Sequence, residues 1–349
     1  MIQKNSITID FDVLRLVAEI DEFKGRWESL GRLAPDKLQS LRRVATIESV
    51  GSSTRIEGAK LSDREVDLLL SNLDISSFRS RDEEEVAGYA EVMDTVFSSW
   101  EHIAFSENHI KQLHGMLLKY SRKDSSHRGE YKKLANNVEA FDADGKSIGV
   151  IFETATPFDT PRLMTDLVVS TIQLLDGPEQ HPLLVISAFT VHFLAIHPFQ
   201  DGNGRLSRVL TTLLLLKSGY FYVPYSSLER VIEENKDSYY RSLRLSQKQI
   251  RTEKENLDAW TRFFLQCLKK QKDVLLQKIE REKLLERLPP VSEQLLALAR
   301  ERGRLTITEA VTLLAINRNT AKLHLRQLVQ QSYLEQNGTG KATWYSPSK

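Results

Sequence analysis

The chain has 349 residues and a nearly balanced charge, with 48 Lys and Arg against 47 Asp and Glu. Hydrophobic residues make up 41% and charged residues 27%, which is typical of a globular protein and unlike a wholly disordered chain. Cys267 is the only cysteine, which excludes an intrachain disulfide framework and a multi-cysteine zinc or iron–sulfur site. The longest apolar stretches, 183–191 and 209–216, are shorter than the about 20 residues that a membrane span needs. At about 150 residues per domain, we expect a cytoplasmic protein of two or three domains with no membrane partner.

Apolar residues recur at helical spacing through the first 120 residues. Ser62 and Glu65 form the pattern of a capping box, and Ser106 stands where an N-cap is expected. The predicted helices cover 13–33, 38–56, a segment that starts at 62, 83–100 and 107–120.

The helical pattern breaks between about residues 128 and 161, where glycines and β-branched residues accumulate. The turn signal Asp142-Ala-Asp-Gly145 lies between the strand-like pieces 138–141 and 148–152. This arrangement predicts a β-hairpin.

Two strongly apolar segments, 183–196 and 205–217, predict the helices at the centre of the core, since a helix that is apolar on nearly all sides is buried. Further helices are predicted at 161–175 and 257–287. The second is interpreted either as a dimer contact, which would make a homodimer, or as a linker packed on the core. Pro289-Pro290 ends it and marks a domain boundary.

The last 60 residues predict helices at 292–302, 306–314 and 317–330, followed by two short strands around Gly338–Gly340, the pattern of a winged helix-turn-helix. From Val291 onward, five Arg and three Lys stand against four Glu, a modest positive charge. DNA binding through 306–345 and a protein-contact role both stay open. The middle helix is expected to bury Ile307, Ala310, Leu313 and Leu314, and the third to bury Ala321, Leu325 and Leu328. The expected groove-facing residues are Thr320, Lys322, His324 and Arg326, with Lys341 on the wing.

The stretch from His197 to Arg208, HPFQDGNGRLSR, carries the chemistry. Gly202 and Gly204 free the backbone to turn tightly, and the unpaired N–H groups of the following helix favour an anion. Asn203 adds a side-chain donor, and two arginines three residues apart share one helix face. Together these groups predict a polyphosphate site.

Asp201 offers a hard oxygen suited to Mg²⁺ held jointly with phosphates, and His197 offers a base that titrates near neutral pH. Phe199 is expected to turn inward and anchor the loop. The stretch is not a Walker A motif, because no Gly-Lys-Ser/Thr follows, and His192 and His197 are five residues apart, which excludes a zincin pair.

HPFQDGNGRLSR resembles the signature of the Fic family at every specified position, and the resemblance extends over roughly residues 35–245. It includes Gly129-Glu-Tyr-Lys132, where most relatives have Arg in place of the lysine, and Tyr239-Tyr240. The implied fold is mainly α: a Fic-type helical core with a β-hairpin flap, followed by a small winged-helix (α+β) domain. The implied division is an N-terminal helical region 1–100, a Fic core 101–250, a linker helix 251–288 and the winged helix 289–349.

The resemblance implies AMP transfer from ATP, with Mg²⁺, to a Ser, Thr or Tyr hydroxyl of a target protein and of the chain itself. His197 would deprotonate the hydroxyl, Asp201 would hold Mg²⁺, and Tyr239 or Tyr240 would lie near the adenine. Strand residues Ile151, Phe152 and Glu153 of the flap would pair with the target. The remaining nucleotide-binding positions implied are Gly202, Asn203, Gly204, Arg205, Leu206, Ser207 and Arg208.

The stretch Ser53-Thr-Arg-Ile-Glu57-Gly58 resembles the inhibitory helix of Fic proteins that carry their own brake. By that resemblance Glu57 would pair with Arg208 in the space of the γ-phosphate, and the same glutamate could serve AMP removal. Two alternatives stay open: choline-phosphate transfer by the same loop, and a DNA-binding transcriptional regulator whose Fic core senses nucleotide or is inactive.

Overall fold

The computed structural model describes residues 2, 6–30, 35–71, 78–136, 138–141, 147–285, 288–338, 340 and 343–348. The chain forms two compact units, 1–275 and 276–349. Its fold is mainly α, as predicted, and the strands of the described ranges form two separate two-stranded sheets. Within those ranges no helix is long and apolar enough to cross a membrane.

Most helices of the first unit lie within a few residues of the predicted positions. The helices of this unit are α1 (Phe11–Leu30), α2 (Pro35–Ile56), α3 (Asp63–Ser71), α4 (Arg81–Ser99), α5 (Glu107–Leu117), α6 (Thr160–Asp176), α7 (Pro182–Ile196), α8 (Asn203–Lys217), α9 (Leu228–Glu234) and α10 (Lys236–Gln247). Of these, α9 and α10 were not predicted. A short 3-10 helix, Val223–Tyr225, precedes α9, and α11 (Asp258–Leu285) begins in this unit and ends in the other.

Side-chain caps explain several helix starts. The Ser62 backbone N–H donates to Glu65 Oε2 over 2.8 Å, and the Ser62 hydroxyl accepts from the Glu65 N–H over 3.4 Å, which is the predicted capping box before α3. The hydroxyls of Ser80 and Ser106 accept from backbone N–H groups in the first turns of α4 and α5. Each cap satisfies a donor that has no partner within its helix.

The centre of the first unit is built from α7 and α8. Every side chain from Leu183 to Ile196 is buried, as are those from Arg205 to Leu216. α7 contacts α6, α8 and α10, whereas α8 contacts α2, α4 and α5. The loop between α7 and α8 therefore starts and ends in the core, where several helices can reach it.

The predicted hairpin is present as strands β1 (Val138–Phe141) and β2 (Ser147–Phe152). They pair antiparallel, with Val138 opposite Phe152 and Phe141 opposite Ser147. The predicted turn at 142–145 lies outside the described residues. β2 contacts α10, which brings the hairpin beside the α7–α8 loop.

The first half of α11 packs into the core of the first unit. Trp260 is buried, and its indole N–H donates to the Ser187 carbonyl of α7 over 2.9 Å. Gln271 and Ser226 exchange two hydrogen bonds of 2.6 and 2.9 Å. The segment predicted as a linker is therefore divided, since residues up to Leu275 belong to the first unit.

The second unit holds the end of α11, three further helices and a two-stranded sheet. These are α12 (Pro290–Arg302), α13 (Ile307–Leu314), α14 (Arg318–Gln330), β3 (Leu334–Asn337) and β4 (Trp344–Pro347). Ala310 of α13 and the three predicted α14 residues are buried in its core. The prediction that Leu313 is buried is wrong, because it is 44% exposed on the outer side of the short α13. Lys341 lies outside the described residues.

Candidate active site

The α7–α8 loop turns sharply at both ends. His197 caps α7 with a left-handed φ of 53°, and its N–H donates to the Phe193 carbonyl over 2.8 Å. Gly202 precedes α8 with a φ of 78°, a conformation that strains any residue with a Cβ. His197 adopts such a conformation without being glycine, a local strain of the kind that clusters at functional sites.

Asn203 holds the loop closed from within. Its side-chain oxygen accepts from the Phe199 N–H over 2.9 Å, and its side-chain amide donates to the Phe199 carbonyl over 2.7 Å. One of the two side-chain N–H groups of Asn203 therefore serves the loop backbone, and its predicted role towards a ligand stays a prediction. At 2% exposure, Asn203 satisfies loop backbone groups that burial would otherwise leave unpaired.

His114 and Phe199 support the loop from below. Phe199 is fully buried, as predicted, and stacks on the His114 ring with centroids 3.8 Å apart. The Gly129 N–H donates to His114 Nδ1 over 2.9 Å, so Nε2 carries the proton and donates to the Asp201 carbonyl over 3.0 Å. Sequence reasoning missed His114, because a lone histidine on a helix has no pattern that identifies it.

Lys132 and Asn136 hold the other end of the loop. The Lys132 ammonium donates to the Ile196 carbonyl over 3.0 Å and to Asn136 Oδ1 over 2.8 Å, and its backbone N–H donates to the Pro198 carbonyl over 2.8 Å. The Asn136 amide donates to the Phe199 carbonyl over 2.6 Å. The resemblance to the Fic family had singled out the segment Gly129–Lys132, whereas sequence reasoning missed Asn136.

His197 is held as a neutral base. Its Nδ1 bonds to the Leu194 carbonyl over 3.2 Å and therefore carries the proton, which leaves the Nε2 lone pair for the cavity that His197 lines. Burial, and then the nearby Lys132 charge, lower the pKa of His197 to about 4. The expectation that it titrates near neutral pH is wrong, because desolvation disfavours the imidazolium.

Asp201 presents its carboxylate between two guanidinium groups. Oδ1 accepts from the Gly202 N–H and lies 3.3 Å from Arg205 Nη2, whereas Oδ2 lies 2.8 Å from Arg81 Nη2. Burial alone would raise the pKa of Asp201, but Arg205, the Gly202 N–H and Arg81 lower it. The carboxylate is therefore ionised at neutral pH, with 35% of the side chain exposed.

Glu57 lies against the first turn of α8. Its Oε1 is 2.8 Å from Arg208 Nη2, and a Cβ placed on Gly204 would lie 2.1 Å from the same oxygen. Only glycine allows this close approach without a shift of the carboxylate. Arg208 also donates from Nε to the Ser53 hydroxyl over 2.8 Å and from Nη2 to the Ser53 carbonyl over 3.0 Å. Glu57, Ser53 and Arg208 therefore come together as expected.

The cavity at this site has a volume of about 870 Å³, within the range of small-molecule sites. Of the predicted residues, those that line it are Glu57, Phe152, His197, Asp201, Gly202, Asn203, Gly204, Arg205, Tyr239 and Tyr240. Its wall also includes residues that the sequence reasoning missed, among them Arg81, Glu85 and, on α10, Arg241 and Arg244.

The structure does not bring every predicted residue to the cavity wall. Leu206 and Ser207 are fully buried on α8, and the Ser207 hydroxyl donates to the Gly204 carbonyl over 2.7 Å. Their side chains therefore lie in the core and not at the cavity wall, and their predicted part in nucleotide binding stays a prediction. Ser53 and Arg208 lie behind Glu57, with 0% and 4% exposure.

The two tyrosines and the hairpin complete the site. Tyr239 is buried against Trp260, and the Tyr240 hydroxyl donates to the Ile56 carbonyl over 3.3 Å. Glu153 is exposed, whereas the side chain of Ile151 lies outside the described part of the structure.

The comparisons with known proteins agree with this geometry. The model of the Fic/DOC family matches residues 104–215. A Fido domain-containing protein of Dictyostelium discoideum is 32% identical over 103 residues, which cover 28% of this chain and 67% of that protein. The protein adenylyltransferase Fic of Drosophila melanogaster is 30% identical over 96 residues, or 28% of this chain, and the chain spans only 17% of that protein.

A crystal structure of a Fic family protein from Desulfovibrio desulfuricans G20 shares the fold. Its TM-score is 0.62 at 23% identity, and the alignment covers 98% of both chains. The match of the family model contains the α7–α8 loop, and the Dictyostelium relative is matched over two thirds of its length. The chain belongs to the Fic/DOC family.

Proposed function

We propose that the protein is an autoinhibited adenylyltransferase, which transfers AMP from ATP to a Ser, Thr or Tyr hydroxyl of a target protein. One observation carries the proposal: His197, with Nε2 left as a free base, lines the same cavity as the N-terminus of α8 and the Asp201 carboxylate. A base, an anion site and a metal-binding oxygen therefore converge on one space that can hold a nucleotide.

The triphosphate would lie on the N-terminus of α8. The backbone N–H groups of Asn203 and Gly204 have no partner within the helix, whereas that of Gly202 donates to Asp201, and the helix dipole favours negative charge at this end. Arg205 adds a positive charge at the wall, and Arg208 becomes available once Glu57 leaves it. Adenine would lie towards Tyr240, which is partly exposed on the same wall.

The transfer moves one proton, forms one bond to the α-phosphorus and breaks another. The target oxygen attacks the α-phosphorus while His197 Nε2 takes the hydroxyl proton. The bond between the α-phosphorus and the bridging oxygen to the β-phosphorus breaks, and pyrophosphate leaves with the electron pair. A positioned general base typically accelerates such a step ~10²–10⁴-fold.

The donor chemistry of Asp201 fits Mg²⁺. A single ionised carboxylate at the cavity wall suits an ion that takes its remaining ligands from phosphates and water. Mg²⁺, when bound, would supply charge neutralisation for the leaving pyrophosphate. Asp201 would hold it, and the Gly202 N–H orients the carboxylate.

The position of Glu57 supports the proposed brake. Its carboxylate lies where an anion is favoured, against Gly204 and on Arg208, so it competes with a phosphate for the same groups. ATP bound beside it would lose the Arg208 contact and misalign its α-phosphate. Removal of AMP from a modified target is a further activity that the same carboxylate could serve.

The flap supports a protein substrate. Within the described residues β2 pairs only with β1, so its second edge is open to an added strand. Phe152 at the end of β2 also lines the cavity. We propose that the target segment pairs with this edge by β-augmentation, which would bring its hydroxyl towards His197.

The test uses ATP labelled at either the α- or the γ-phosphate, with the Glu57→Gly chain as enzyme. We expect protein label from α-labelled ATP only, and much more than with the unmodified chain. The matched control, His197→Ala in the same background, should lose label by ~10²–10⁴-fold and keep its ATP affinity. Label from the γ-phosphate, or none from either, would contradict AMP transfer.

A second candidate is a DNA-binding regulator. Arg318, Lys322 and Arg326 on α14 are exposed, which favours contact with a polyanion. His324 is less available, since its Nδ1 bonds to the Ser292 hydroxyl over 2.8 Å. Two results together would support this candidate over the first. The full chain would retard DNA in a gel-shift assay, and the Glu57→Gly chain would acquire no label from either form of ATP.

A further inference from the structure

Arg81 is a cavity residue that the proposed mechanism does not use. It is the first residue of α4, following the N-cap Ser80, and its side chain is 44% exposed. It lies 120 residues from Asp201 in sequence, yet its Nη2 is 2.8 Å from Asp201 Oδ2. The contact therefore joins α4 to the α7–α8 loop.

Four side chains form a closed ring of alternating charge. Arg81 Nε lies 2.7 Å from Glu85 Oε1, and Glu85 Oε2 lies 3.0 Å from Arg205 Nη1. Arg205 Nη2 lies 3.3 Å from Asp201 Oδ1, and Arg81 closes the ring on Oδ2. The Glu85 and Arg205 side chains are 10% and 2% exposed, so they are fixed by packing. Arg81 and Asp201 form the accessible half.

The ring leaves Asp201 with no oxygen that lacks a positively charged partner. Oδ1 already accepts from Gly202 and Arg205, and Oδ2 is paired with Arg81. A divalent cation coordinated to Oδ2 would have to share that oxygen with the Arg81 guanidinium at 2.8 Å, and the two positive charges would repel each other across it. Mg²⁺ and Arg81 therefore compete for the negative charge of the same oxygen.

We propose that Arg81 is a built-in competitor of the metal ion. Its guanidinium holds the Asp201 carboxylate in place while the metal is absent, and it leaves Oδ2 when the metal binds with the nucleotide. Arg81 keeps its bond to Glu85 during this exchange, since that bond uses Nε and the same face of α4. This inference rests on the proposed function, in which Asp201 is the metal ligand.

The alternative is that the ring only fixes the start of α4 to the loop. Removing Arg81 would then lower stability without favouring the metal. If Arg81 is a competitor, removing it strengthens metal binding, because the metal no longer has to break the ion pair between Arg81 and Asp201. For a partly exposed pair, we expect about a two- to fivefold change in metal coupling.

The experiment measures nucleotide affinity by calorimetry with EDTA and with saturating Mg²⁺. The ligand is α,β-methylene ATP, which cannot transfer AMP, and every chain carries Glu57→Gly to remove the proposed brake. The ratio of the two dissociation constants reports the coupling between metal and nucleotide at the site. Arg81→Gln should raise this ratio about two- to fivefold, and Arg81→Met should do the same if the glutamine variant does not fold.

Three further chains separate the outcomes. Arg162→Gln removes an exposed arginine outside the cavity wall and should keep the starting ratio. Arg81→Lys retains the positive charge, so its ratio of dissociation constants should stay below those of the neutral variants. Asp201→Asn should reduce the ratio strongly, and an unchanged ratio there would contradict the proposed metal ligand. If Asp201→Asn reduces the ratio but the neutral Arg81 variants leave it unchanged or lower it, only the competitor role is overturned.

Discussion

At the scale of single residues, burial decides what the two histidines of the site can do. Burial lowers the pKa of both His197 and His114 to about 4, with the Lys132 charge adding to the effect at His197. His114 then serves as a neutral donor to the Asp201 carbonyl, and His197 keeps its Nε2 lone pair. An imidazolium at His114 could not accept from the Gly129 N–H at Nδ1, and one at His197 would have no Nε2 lone pair.

These pKa values predict a loss of stability in mild acid. The folded-state pKa lies below the ordinary 6.5 of histidine, so the unfolded chain binds more protons between pH 6.5 and 4. The stabilising contribution is complete above about pH 6.5 and is lost as the pH falls towards 4, by up to about 1.4 kcal/mol per pH unit for each histidine. We expect a lower Tm at pH 5 than at pH 7.5, measured by calorimetry.

His114→Gln should reduce this pH dependence, because one of the two protons is no longer taken up on unfolding. His102→Gln is the matched control, since His102 is exposed on the same unit, and it should keep the full decrease in Tm. If the Tm of the His114→Gln chain falls between pH 7.5 and pH 5 as much as that of the original chain, burial of the His114 ring does not cause the loss of stability in acid.

At the scale of elements, the end of α2 is fixed by Arg55. Its guanidinium makes a two-bond contact with Glu233 of α9, at 2.6 and 3.0 Å, and reaches Asp63 of α3 at 2.8 Å. Such forked bonds to a carboxylate are geometrically specific. Tyr240 also donates to the last carbonyl of α2, that of Ile56. The position of Glu57 therefore depends on contacts outside the cavity.

We predict that Arg55→Ala increases the proposed AMP transfer although Glu57 is intact. Losing the anchor frees the end of α2 and weakens the hold of Glu57 on Arg208. The readout is protein label from α-labelled ATP, which should rise towards the level of the Glu57→Gly chain. Arg43→Ala is the control, because it removes an exposed pair between α2 and α3 at Asp67. Equal label in both variants would contradict the anchoring role.

At the scale of the whole molecule, the core of the first unit extends into α11. Trp260 is buried and bonded to Ser187, one of the residues of the central helix α7. The compact unit ends at Leu275, in the middle of a helix that continues to Leu285. The first half of α11 is therefore part of the scaffold that holds the site.

A chain that ends after Leu285 should stay folded and keep the proposed AMP transfer, measured by calorimetry and by label from α-labelled ATP. Trp260→Ala in the full chain should lower the free energy of unfolding of the first unit by about 3–5 kcal/mol, because it leaves a large cavity. Loss of folding on truncation after Leu285 would show that the second unit is required for the first.

The sequence by itself determined the local features of this protein. Most helix positions, the Ser62 cap and the hairpin strands follow from patterns within a few residues, whereas α9 and α10 were not predicted. The chemistry of the α7–α8 loop follows from residue types within twelve positions. Family membership can be recognised from the sequence for the same reason, because the signature motif is contiguous. The contact between Glu57 and Arg208 was predicted only through the family resemblance, since 151 residues separate them.

The tertiary structure alone decided the direction of Asn203, the support by His114 and the ring through Arg81. Their partners are distant in sequence, as with the 87 residues between His114 and Asp201, or depend on how the loop closes. It also decided that His197 is neutral, because a pKa depends on desolvation and on charges brought near by folding. Patterns within a few residues contain no information on the desolvation of a side chain or on the distant charges near it, whereas tertiary packing determines both.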